Sequence, residues 1–185
     1  MVDFDRAAVH RKLALLLGYA DELHALVGRS GPGPAGNVAR RAVERLVQLV
    51  VEVSVDVNDL LAASASLPPP ATARDSFQLA ARLGVLTAGL SSRFVASYVG
   101  LRNRIVHDYE RLDDRLVLRA ARRLVADARA FAAAVGSYLS RPAPSEVRER
   151  APRYRVAPSR GVSSPKSPGR AGRMRAPARR PNQTR

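Results

Sequence analysis

The chain has 185 residues, a formal net charge of +15, 46% hydrophobic residues, 5% aromatic residues, no tryptophan, no cysteine and three histidines. The missing cysteines exclude a disulfide framework, a thiolate zinc site and a cysteine nucleophile, and so few histidines argue against a His-rich metal cluster. The length suits one domain with an appendage or two very small domains, and the apolar fraction predicts an aliphatic core built from packed helices.

Residues 3–28 read as an amphipathic helix, because Val9, Leu13, Leu16, Ala20, Leu23 and Val27 recur at alternating spacings of four and three. Gly28 and Ser30-Gly31-Pro32-Gly33-Pro34 end it. Residues 36–66 carry two competing signals. Val51 to Val57 alternates apolar and polar, which suits a strand. Ala39, Ala42, Leu46, Leu49, Val53, Val57 and Leu60 keep helical spacing over a far longer stretch, and no turn residues bracket the alternation. The longer pattern predicts one helix, apolar on more than one face, and therefore central or buried in a dimer interface.

Leu67-Pro68-Pro69-Pro70 breaks the chain. A short helix follows over 74–83, stopped by Gly84, and then a helix over 87–106 with Leu90, Phe94, Tyr98, Leu101 and Ile105 on one face. A turn is expected around 107–112. Asp113 and Asp114 start the last helix, with carboxylates at its positive end, and Leu116, Arg119, Arg123, Ala126, Ala130 and Ala133 carry it to about Leu139. The prediction is an all-α fold: an antiparallel bundle of four long helices and one short helix over residues 1–140.

Residues 141–185 differ in kind. They hold thirteen Lys+Arg against two acids and eight of the thirteen prolines, so this segment carries +11 and the rest +4. With almost no apolar periodicity it cannot offset the entropy of ordering, and a disordered basic tail is expected. No run approaches a membrane-spanning length, and the charged start Met1-Val2-Asp3-Phe4-Asp5-Arg6 lacks a signal peptide's apolar stretch, so a cytoplasmic location is expected.

Several motifs fail on context. Gly31-Pro32-Gly33-Pro34-Ala35-Gly36 fits the dinucleotide pattern, with Asp56 twenty residues on, but a helix precedes it and two prolines remove N–H donors. Asp3-Phe4-Asp5 lacks a phosphate loop and sits where a helix start attracts acids. His10 and His24 are too far apart on one helix to share a metal.

Arg102-Asn103-Arg104-Ile105-Val106-His107-Asp108-Tyr109 combines a fixed cation, an amide, an imidazole and a phenol where a helix runs out. Such a set suits a phosphodiester. Arg binds two phosphate oxygens in a fork, His moves a proton near neutral pH, and Asn103 can orient either. Five residues of ideal helix separate Arg102 and His107 by about 140°. Both face one pocket only if the helix ends near Val106 or if two protomers share the pocket. The plainer reading is a pair of cations capping a helix C-terminus.

Arg102-x4-His107-x-Tyr109 resembles the R-x4-H-x-Y signature of HEPN-domain ribonuclease toxins of the HepT type. The similarity extends to Arg41 through Gln48, to Leu67-Pro68-Pro69-Pro70 with Arg74-Asp75-Ser76-Phe77, to Gly84-Val85-Leu86, and to Leu101 through Asp113, about 36–138 in all. Ala73 departs from it, where many relatives carry an aromatic residue, and the basic tail lies outside the pattern. The resemblance implies a helical bundle that dimerises, bringing two motifs to one cleft. It implies a ribonuclease that needs no metal or other cofactor. The RNA 2′-hydroxyl attacks the adjacent phosphate, with His107 as general acid or base, Arg102 stabilising phosphate charge and Asn103 in support. It also implies a minimal nucleotidyltransferase antitoxin as partner, in a hetero-oligomer, that silences the toxin by adding AMP to Tyr109. Two other readings share these residues. One is a non-catalytic helical partner that presents substrate to a nucleotidyltransferase. The other is a general nucleic-acid binder driven by the tail, in which Tyr154 is the one aromatic residue available for stacking.

Overall fold

The computed structural model describes residues 5–29, 36–107 and 113–141. The chain divides into a unit Met1–Ala143 and a unit Pro144–Arg185. The tail prediction falls on residues outside the described ones, apart from Arg141, as does most of the turn expected around 107–112.

All regular structure among the described residues is helical. Helix α1 is Arg6–Arg29, α2 is Gly36–Ser64 and α3 is Ala73–Arg82. A fourth helical column follows in three parts: α4 (Ala88–Arg93), a π-helical segment (Phe94–Val99) and α5 (Gly100–His107). Helix α6 is Asp114–Leu139. The four long columns and the short α3 match the predicted set.

The caps follow from local chemistry. Asp5 accepts the Ala8 N–H at 2.8 Å, and that bond holds its carboxyl below the ordinary carboxylate range. Thr72 accepts the Asp75 N–H at 3.1 Å, and Asp113 accepts the Arg115 N–H at 2.8 Å. Ser66, at φ 56°, turns the chain out of α2, and Gly84, at φ 69°, occupies the left-handed region that only glycine enters freely.

Helix α1 buries all six residues of its predicted stripe. It packs on α2 and α6, and α2 also touches α3, α5 and the π-helical segment. That central place explains why α2 is buried on several faces, Val50, Val51, Val53, Ser54 and Val57 among them. The alternating stretch is thus helix, and its polar residues take separate roles. Ser54 donates to the Val50 carbonyl at 2.7 Å, and Asp56 accepts from Lys12 at 2.6 Å.

The last helix runs to Leu139 as expected, and one expectation, the aliphatic core, needs correction. The residues that mark α6 in the sequence lie on its outer side: Leu116, Arg119, Arg123, Ala126, Ala130 and Ala133 are exposed, while Val117, Leu118, Ala121, Leu124, Ala128, Phe131 and Val135 face the core. Both stripes have helical spacing, because alanine fits either environment. The core is not purely aliphatic. Phe77, Phe94, Tyr98 and Phe131 are its largest fully buried side chains. The Phe77 and Phe94 rings stack at 4.5 Å, and the Tyr98 and Phe131 rings meet Phe94 at 5.2 and 5.7 Å. The few aromatics are concentrated where α3, α6 and the π-helical segment meet.

Candidate active site

Buried Leu101 and Ile105 anchor α5, four residues apart on its inner side. Arg102 stands beside them at the margin, half-buried, and Asn103, Arg104, Val106 and His107 are exposed. The Arg102 Nη2 donates to Glu52 Oε1 of α2 at 3.0 Å, and Nη1 makes a longer bond, 3.4 Å, to Asn103 Oδ1. The side chains of Arg102 and Glu52 keep 33% and 38% of their exposure, so the pair contributes at most about 1 kcal/mol of stability and acts mainly to fix direction.

These residues border a cleft of about 210 Å³ between α2 and the fourth column. Val51, Val55 and Val99 give it apolar walls, and Glu52, Asp56, Arg102 and Asn103 give it a polar edge. Ala73, where the sequence departs from the resembled pattern, also lines it. A half-buried guanidinium there can grip an anionic group that enters, provided the anion replaces Glu52 or shares the fork with it.

The structure brings Arg102 and Asn103 together and leaves His107 apart. Helix α5 runs to His107, about 1.4 turns beyond Arg102, and His107 does not border the cleft. A helix end at this place agrees with the end expected near Val106, but among the described residues it does not by itself bring Arg102 and His107 to one pocket. Tyr109 lies outside the described residues.

Glu52 was not singled out from the sequence. Its only signal there is a charge on a valine-rich helix face. A second cluster was also missed. Asp127 of α6 takes Arg93 Nε at 3.1 and 3.0 Å, Arg93 Nη2 at 2.8 Å and the Tyr98 hydroxyl at 2.6 Å. Burial pushes the Asp127 carboxyl up, but the hydrogen bonds from Arg93 and Tyr98 and the Arg93 charge outweigh this and hold it low. Burial, with the bond to Asp127, pushes the Tyr98 hydroxyl well above its ordinary 10.0, so it stays a donor. Among the described residues no group of three or more His, Asp and Glu could hold a metal ion, and no helix is long and apolar enough to cross a membrane.

Comparison with known proteins extends from the fold to the motif. The tRNA nuclease HepT of Aphanizomenon flos-aquae is 26% identical over 121 residues, 65% of this chain and 82% of that protein. YutE of Bacillus subtilis, a cytosolic protein of unknown function, superposes with a TM-score of 0.65 at 16% identity, over 75% of this chain and 93% of its own. The tri-AMPylated HEPN toxin of Shewanella oneidensis, solved with its MNT antitoxin, gives 0.64 at 24% identity, over 74% and 99%. These two likenesses establish the fold. The family profile described as ribonuclease HepT-like matches residues 33–135, from the start of α2 through the motif helix and most of α6. With the match covering more than half of its length and containing both Arg102 and His107, the chain belongs to the HepT-like ribonuclease family.

Proposed function

We propose that the chain is an endoribonuclease and the toxin of a toxin–antitoxin pair. The observation that carries this reading is the half-buried Arg102, held at the edge of a cleft by Glu52, on a helix that ends at His107 within the matched region. Arg102 binds the phosphate to be cleaved and stabilises the charge that grows on it. His107 transfers the proton as general base or acid. The RNA 2′-oxygen, losing its proton, bonds to the adjacent phosphorus. The P–O5′ bond breaks, the 5′-oxygen takes up a proton, and a 2′,3′-cyclic phosphate remains. Nothing in this step calls for a metal. Asn103, which accepts a 3.4 Å hydrogen bond from the guanidinium, is the supporting polar residue in this reading.

The divergence of Arg102 and His107 along α5 favours a homodimer in which the motif of one protomer completes that of the other. The partner is a minimal nucleotidyltransferase antitoxin that silences the enzyme by adding AMP to Tyr109, alone or within a hetero-oligomer. Support comes from the S. oneidensis toxin of the same fold, itself AMPylated and bound to its antitoxin.

The test pairs growth with chemistry. Expression of the chain alone slows growth, and Arg102→Ala or His107→Ala relieves it while circular dichroism and thermal midpoint stay near the wild type. Purified protein cleaves RNA in excess EDTA and leaves cyclic phosphate ends. Folded variants as toxic as the wild type would overturn the assignment.

A further inference from the structure

The column that carries Arg102 is not a uniform α-helix. Between α4 and α5 the chain makes a π-helical stretch, Phe94–Val99. A π-turn bonds each residue to the fifth after it and fits about one extra residue into the column, so everything downstream is rotated by roughly 100° relative to an unbroken α-helix. Arg102 lies three residues past this stretch. Its direction toward Glu52 therefore depends on whether the wide turn forms.

The wide turn is secured from outside. Arg93, the last residue of α4, and Tyr98, inside the π-helical stretch, both donate to the one carboxylate of Asp127 on α6. They are five residues apart. In an α-helix that spacing turns two side chains about 140° away from each other, whereas in a π-turn they stand nearly one above the other. Asp127 can thus hold both only while the turn is wide. The buried rings of Phe94 and Tyr98 fill the inner side, and Ala96 and Ser97 on the outer side are exposed. Asp127 on α6 is the carboxylate that ties the two ends of this stretch together.

We infer that Asp127 is a positioning residue that, by clamping Arg93 and Tyr98 across the wide turn, sets the rotational phase of α5 and so aims Arg102 at the cleft. The inference rests on the proposed role of Arg102 and assigns a cause to its orientation that the motif alone does not contain. Asp127 never meets substrate. It acts through the backbone of the column, from a different helix.

Three variants of the full chain test it. Asp127→Asn keeps size and packing but weakens both bonds, and Tyr98→Phe removes one of them. Deleting Ala96 removes the extra residue at an exposed site, so an unbroken α-helix then carries Arg102 at its original phase without the clamp. RNA cleavage is measured as separate kcat and KM, alongside the NMR signal of the Arg102 Nε–Hε group, assigned by its loss in Arg102→Lys. Asp127→Asn lowers kcat by about tenfold with KM nearly constant, the pattern of lost transition-state contact without lost binding. Tyr98→Phe falls between wild type and Asp127→Asn. In both the Arg102 signal shifts and no longer responds to Glu52→Gln. Adding the Ala96 deletion to Asp127→Asn restores the Arg102 signal and most of the lost kcat. If the deletion does not fold, Asp127→Asn decides. A folded Asp127→Asn protein with wild-type kcat and an unchanged Arg102 signal, or a folded double variant no better than Asp127→Asn, would overturn the inference. If the wild-type chain cleaves no RNA, the ribonuclease reading fails, and the Arg102 signal alone then decides whether Asp127 aims this side chain.

Discussion

Arg102 and Glu52, fifty residues apart in sequence, meet at 3.0 Å across the cleft, and the guanidinium that would grip a phosphate is already engaged by a carboxylate. Glu52 therefore has two opposed effects. It holds Arg102 in place, and its charge would repel a phosphodiester backbone brought to the cleft.

Glu52→Gln separates these effects. The amide keeps a hydrogen-bond acceptor but removes one negative charge from the edge of the cleft. RNA should bind more tightly at low salt, and cleavage at saturation should slow, by about three- to tenfold for a loosened catalytic cation. Titration of labelled RNA with single-turnover rates measures both. Weaker binding in this variant would mean that Glu52 contacts RNA itself.

The second prediction concerns acid stability. Asp127 titrates below its ordinary 3.8 in the folded chain, so its stabilisation is present above that value and is lost as pH falls through the lower folded value. The thermal midpoint should hold from neutral pH to about 4 and drop below it. In Asp127→Asn the acid limb should be shallower. Asp127→Ala should cost about 1–3 kcal/mol at neutral pH, since it leaves the buried Tyr98 hydroxyl without an acceptor. An acid limb identical in wild type and Asp127→Asn would assign acid unfolding to other carboxylates.

Tyr109→Phe tests regulation. It removes the only atom that can take AMP on that side chain and leaves the ring. Activity should survive, while protection by a co-expressed nucleotidyltransferase should fail. Intact mass spectrometry should show AMP additions on the wild type and none on the variant. AMP found on the variant would place the modification elsewhere. Charge would account for such silencing, since each AMP brings a negative phosphodiester close in sequence to His107.

Ending the chain after Arg141 tests the basic segment. Every described helix lies before that point, and Arg141 itself donates to the Gly84 carbonyl at 3.4 Å, so it is kept. The thermal midpoint and the oligomeric state should not change. RNA binding should weaken and depend less steeply on salt, because each phosphate neutralised contributes about 0.7 to the slope for single strands. An unchanged slope would show that residues 142–185 do not touch RNA.

Much of this was legible in the residues. The regular spacing in α1 names its buried stripe without error, because one apolar residue per turn on one side leaves no competing face. The V-E-V-S-V-D-V alternation in α2 misleads only within seven residues, and the helix-long pattern resolves it. In α6, alanines on both sides make the outer stripe as regular as the inner one, so spacing alone could not say which was buried. The π-helical stretch left no trace, since Leu90, Phe94, Tyr98, Leu101 and Ile105 satisfy α-helical spacing as written. Its cause is Asp127, nearly thirty residues after Tyr98. For the same reason the motif could name Arg102 but not Glu52. A pairing across the fold has no local signature.

The central burial of α2 has a mechanical consequence. Val47, Val50, Val57 and Leu61 are completely enclosed, so the wall that carries Glu52 belongs to the stiffest part of the molecule. The opposite wall is the eight-residue α5, fastened inward by Leu101 and Ile105. Backbone amides along 47–58 should exchange with deuterium only when the whole chain unfolds, while those of 103–107 exchange through small openings of α5 alone. The cleft would then have one fixed wall, which carries Glu52, and one that opens locally, which carries Arg102 and Asn103.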